Sequence, residues 1–117
     1  MLSLNEIAEA IEGECDKLEG LIDQVAEAAY RSAIAETDFK LKFAEQRIMV
    51  RDDAAAIGKK VTIDQVEDAA TLTTIDERRD HLLASGTLSA VRDAVRVAQS
   101  RVDAYRTLAA SFRQAGG

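Results

Sequence analysis

Apolar residues recur every seven positions from the start of the chain, with Leu4, Ile11, Leu18 and Val25 at one position of the repeat and Ala8, Cys15, Ile22 and Ala29 at the other. Steps of alternately four and three residues keep side chains on one stripe of an α-helix, so this pattern predicts a helix with a coiled-coil seam. The end of the chain carries a matching repeat, in which Leu88, Val95, Val102 and Ala109 alternate with Val91, Ala98, Tyr105 and Phe112. Two seams of this kind, one at each end, suit two helices packed on each other.

Local start and stop signals place the elements. Ser3 with Glu6, flanked by Leu2 and Ile7, reads as a capping box with a hydrophobic staple, and Thr62 with Gln65, flanked by Val61 and Val66, reads the same way. Gly58 stands where a helix would end on a residue of positive φ, and Lys59 and Lys60 suit the negative end of the preceding helix dipole. The expected architecture is all-α: a long antiparallel helical hairpin with a helix over 4–57, a turn over 58–62 and a helix over 63–114. Ser85-Gly86-Thr87 predicts a kink near 85–87. A full reversal at Gly86, giving a three-helix bundle, is the rival arrangement; it strands the acidic start of the chain away from its basic end.

Charge points to the same pairing. Residues 1–30 hold eight acids and one base, and residues 87–117 hold five arginines and two aspartates, so the segments net −7 and +3. Beside the first seam lie Glu9, Asp16 and Asp23; beside the second lie Arg92, Gln99, Arg106 and Arg113. Pairing Glu9 with Arg113, Asp16 with Arg106 and Asp23 with Gln99 puts the fold-back near residue 61, where the capping signals also put it. Exposed pairs contribute only ~0.2–1 kcal/mol each, so they are expected to select register while the apolar seam supplies stability.

Nearer the turn the pattern changes. Phe39, Phe43 and Val50 share one helical face, while Tyr30, Ile34, Leu41, Ala44 and Ile48 fall nearly opposite; Leu72, Ile75 and Leu82 form a second apolar set in the other arm. One partner helix cannot cover both faces. The expectation is a homodimer, two hairpins forming a four-helix bundle through Tyr30, Ile34, Leu41, Ala44, Ile48, Leu72, Ile75 and Leu82.

Composition narrows the class. The chain has 117 residues, no proline, six glycines, 47% hydrophobic and only 4% aromatic residues, with a net charge of −6. This suits one helical domain and argues against disorder. The acidic start lacks the form of a secretory signal, and no run reaches the ~18 apolar residues of a membrane span, so a cytoplasmic location without membrane contact is expected. The single cysteine, Cys15, has no partner within the chain for a disulfide and falls in the expected seam.

Candidate chemistry is sparse. His81 is the only histidine, and Asp80 and Glu77 beside it match no zinc spacing; position 78 is Arg where the Glu-x-x-His element of di-iron bundles needs a carboxylate. With one imidazole, a Ser-His-Asp set finds no support. Gly13 and Gly20 form no phosphate loop and instead either permit a close approach or weaken their helix. No catalytic residue, metal site or cofactor is therefore assigned. Arg78, Arg79, Arg92, Arg96, Arg101, Arg106 and Arg113 all lie in the second arm and could follow phosphates, but the negative net charge and the scarcity of aromatic residues favour pairing within the hairpin. The acidic first helix also raises the idea of a DNA mimic, although solvated acidic faces are far commoner.

Tyr30, Asp38-Phe39-Lys40, Lys60-Val61-Thr62 and the run Gln99-Ser100-Arg101-Val102-Asp103-Ala104-Tyr105-Arg106-Thr107-Leu108 resemble small helical-hairpin proteins of bacteriophage and prophage genomes, particularly those of actinobacteria. The resemblance spans about residues 22–113, its motifs are helical and low in specificity, and the first twenty residues depart from it. It implies an accessory role, near replication and recombination, in the host cytoplasm; no activity carries over to particular residues. The secreted helical hairpins of actinobacteria match less well, since their Trp-x-Gly turn is missing. The expected function is a non-enzymatic protein that dimerises and acts by contact on an unidentified host or phage protein. The alternatives are a nucleic-acid-handling accessory protein, an acidic DNA mimic and, as a third class, a metal-dependent enzyme.

Overall fold

The computed structural model describes residues 2–116. The protein is an all-α helical hairpin of three helices, α1 (Leu4–Ala56), α2 (Ile63–Thr73) and α3 (Ile75–Gly116), with no strand among the described residues. None of these helices is long and apolar enough to cross a membrane. By packing, the chain divides into two compact units, one of Met1–Ala28 with Thr87–Gly117 and one of Ala29–Gly86.

The helix ends follow the local chemistry. At the start of α1 the Glu6 amide donates to Ser3 Oγ at 3.2 Å, and the Ser3 hydroxyl donates to Glu6 Oε1 at 3.1 Å. α1 ends in a Schellman turn: Gly58 has φ +69°, Lys59 N–H donates to the Ala54 carbonyl at 2.9 Å and Gly58 N–H to Ala55 at 3.1 Å, so carbonyls left over by the last turn are bonded. α2 then opens on a complete capping box, with Gln65 N–H donating to Thr62 Oγ1 at 3.2 Å and Thr62 N–H to Gln65 Oε1 at 3.0 Å. Of the two staples, Ile7 and Val66 are buried, while Leu2 is exposed and Val61 half-buried.

The second arm is interrupted at Thr74 and not at Ser85-Gly86-Thr87, through which α3 runs as continuous helix. One glycine weakens a helix without stopping it. At Thr74 several hydroxyls compete for backbone carbonyls: Thr71 bonds Glu67 at 2.8 Å, Thr73 bonds Ala69 at 3.2 Å, and Thr74 bonds Ala70 at 2.7 Å. Such back-bonding bends helices. The Thr74 amide turns instead to the Thr71 carbonyl at 3.3 Å, and its hydroxyl replaces the amide that Ala70 would otherwise have received.

In the unit of Met1–Ala28 with Thr87–Gly117, α3 presents the expected stripe, with Ala98, Val102 and Ala109 buried and Leu88, Val91, Val95, Tyr105 and Phe112 half-buried. On α1 only part of the expected seam is inside. Ile11, Leu18 and Val25 face inward, but their partners in the repeat are Ile7, Glu14, Leu21 and Ala28, while Leu4 and Ala8 are exposed and Ile22 is 59% exposed. The helix is turned so that bulky Ile7 and Leu21 enter the core, which brings Glu14 in with them. Cys15 is a free thiol, half-buried.

The Ala29–Gly86 unit is a helical hairpin closed by the 57–62 turn. Ala54, Val66, Ala70 and Thr74 are buried near the turn. Farther along, Ser32 and Ser85 meet at 3.5 Å, and Phe39 packs edge-on against both Phe43 and His81, each at a centroid distance of 5.9 Å. Among the described residues five of the eight buried apolar side chains are alanine, so most of the larger apolar groups lie at the rims of the seam or outside it.

Candidate interaction surfaces

The expected charge pairs do not form. None of Glu9, Asp16 and Asp23 makes an ion pair with Arg92, Arg106 or Arg113; the three acids lie exposed on α1, Asp16 at the edge of a groove that Arg101 also lines. A cross-helix pair instead joins Glu14 Oε1 to Arg101 at 3.7 Å, where the expected register puts Leu108 opposite Glu14, a displacement of one heptad. The change goes with the rotation of α1, which turns Ile7, Glu14 and Leu21 toward α3 in place of Ala8 and Ile22. Exposed ion pairs are too weak to forbid it. Glu14 Oε1 also meets Lys17 at 3.7 Å, its side chain is 13% exposed, and its Oε2 is buried without a hydrogen-bond partner.

This displacement leaves Arg92, Arg106 and Arg113 exposed without acid partners. Arg92 and Arg96 border a groove of about 300 Å³ whose floor is Ile22, Val25 and Val95. On the other side of the same helix pair, Lys17, Gly20, Leu21, Val97 and Arg101 line a second groove. A Cβ placed on Gly13 or Gly20 would meet nothing within 4 Å, so neither glycine serves a close approach.

In the Ala29–Gly86 unit, α1 has two distinct faces. Ser32, Ala35, Phe39, Phe43 and Val50 turn inward, while Tyr30 (68% exposed), Ile34 (43%), Leu41 (66%) and Ile48 (57%) turn outward, with Ala44 half-buried. The expected dimer residues of the second arm, Leu72, Ile75 and Leu82, are exposed as well. They do not all extend the α1 stripe. Ile34 shares a cleft with Glu77 and Asp80, and from Asp80 through half-buried His81 to Leu82 the helix turns by about 200°. Leu82, and Ile75 one heptad before it, therefore leave α3 on the side away from that cleft. The expected eight-residue interface divides between different sides of the unit.

Charges on α1 are placed in order around the outward stripe. Lys40 pairs with Glu36 at 2.8 Å, and this hydrogen bond and charge hold the exposed Glu36 carboxyl below its ordinary range, with a smaller contribution from His81. The Arg47 guanidinium stacks over Phe43 at 5.2 Å. On the other flank Asp38, Glu45 and Asp52 make no ion pair. His81 Nδ1 is buried without a hydrogen-bond partner, and among the described residues no three His, Cys, Asp or Glu side chains converge as a metal site.

No family model matches this chain, and no curated protein or solved structure is significantly similar to it. What can be said of its role rests on these surfaces.

Proposed function

We propose that this chain is a non-enzymatic interaction protein that pairs with a second copy of itself and acts by contact, as a phage-encoded accessory to a host or phage protein. The reading is carried by one observation, the outward stripe of Tyr30, Ile34, Leu41 and Ile48 on α1. Scattered exposed apolar residues need no explanation, but four large ones on a single helical face form a contiguous patch of the kind that marks a binding surface. Light scattering on the 12.7 kDa chain should give twice the monomer mass. Ile34→Lys combined with Leu41→Glu should return it to the monomer mass with its helix content unchanged. A double variant that keeps the dimer mass rejects this face.

A second reading has its own support. Arg92, Arg106 and Arg113 recur on one flank of α3 without acid partners, as a row following phosphates would require. If that row contacts nucleic acid, retention on DNA should fall steeply between 50 and about 200 mM salt, and replacing the three arginines should abolish it. Absence of retention at low salt removes this reading.

A further inference from the structure

The outward stripe of α1 is more regular than an exposed patch needs to be. Tyr30, Ile34, Thr37, Leu41, Ala44 and Ile48 are spaced alternately four and three residues apart, which is the core repeat of a coiled coil. It lies on the side of α1 away from Ser32 and Phe39, the residues facing the second arm. α1 thus carries two seams back to back in the Ala29–Gly86 unit. One is occupied within the chain. Thr37 fits the second because its hydroxyl already donates to the Ala33 carbonyl at 2.9 Å, which leaves its methyl group for packing.

The flanks of this second seam differ in sign. Lys40 and Arg47 follow one edge, with Ala33 before them; Asp38, Glu45 and Asp52 follow the other, with Arg31 before them. Two identical helices related by a two-fold axis along their length present opposite flanks to each other. Run in opposite directions, they present the same flank, acid to acid and base to base. Flanking charges of this kind set orientation in coiled coils.

We propose that the second seam takes the same seam of a second copy, with the two α1 helices parallel and in register. Lys40 then faces the second copy's Glu45, and Arg47 faces the second copy's Asp52. The three acids that make no ion pair within the chain lie on the flank that this arrangement puts beside the basic one. The inference rests on the self-pairing reading above and adds its direction and register.

Disulfide trapping tests it. In a Cys15→Ser background, Ile48→Cys alone and Tyr30→Cys alone should each give a covalent dimer under mild oxidation, and mixing the two variants should give no Tyr30→Cys to Ile48→Cys crosslink. A crosslink only in the mixture means an antiparallel pair, which overturns the orientation and leaves self-pairing standing. A wild-type chain of monomer mass overturns both. The charges give a second readout that leaves the apolar seam intact. Lys40→Glu with Arg47→Glu, and separately Glu45→Lys with Asp52→Lys, should each weaken self-association roughly tenfold, and mixing the two variants should restore the pair. If both variants dimerise as wild type does, the flanks do not face each other and the proposal fails.

Discussion

Thr74 shows how one side chain can both break a helix and repair the break. Its amide has left the Ala70 carbonyl, and the site is buried, so that carbonyl is bonded by side chains instead, at 2.7 Å by the Thr74 hydroxyl and at 3.1 Å by that of Thr73. Losing the shorter of these two bonds, with the other kept, costs about 0.5–1.5 kcal/mol. Thr74→Val, which keeps the shape and removes the donor, should lower stability by about that amount in urea unfolding, whereas Thr74→Ser should cost less. The signal was present in the sequence as Thr71-Leu72-Thr73-Thr74, but Gly86 is the more familiar helix breaker. Glu14 was harder to read. Nothing in a hydrophobic pattern marks a carboxylate as a seam residue, and its place follows from the rotation that turns Ile7 and Leu21 inward.

At the scale of the helix, the parts that were legible are those decided by neighbouring residues. Ser3, Thr62 and Gly58 satisfy backbone groups within a few residues of themselves, so both starts and the turn could be located from the sequence. Register could not, because exposed flanking charges are too weak to fix it and α1 turns inward a different stripe from the one the repeat marks. The same distinction applies to the glycines of α1. Gly13 and Gly20 have helical backbone and open space around them, so alanine at either should fit without strain. Gly20→Ala should raise stability by about 0.5–1 kcal/mol, read as a higher urea midpoint with an unchanged slope. The opposite sign is expected at Gly58, whose positive φ disfavours any Cβ.

For the molecule as a whole, the exposed apolar residues were foreseeable as a surplus, since one partner helix could not cover two faces of α1. Their distribution was not. Whether Leu82 joins Ile34 depends on which side of α3 faces the cleft, and that follows only from the packed helices. The set of buried residues has a wider consequence. This chain keeps alanines inside and places many of its bulkiest apolar groups, Tyr30, Leu41, Leu72 and Leu82 among them, where water reaches them. Folding therefore leaves much of its oily surface wet, and the strongest drying still open to those side chains comes when another molecule lands on them.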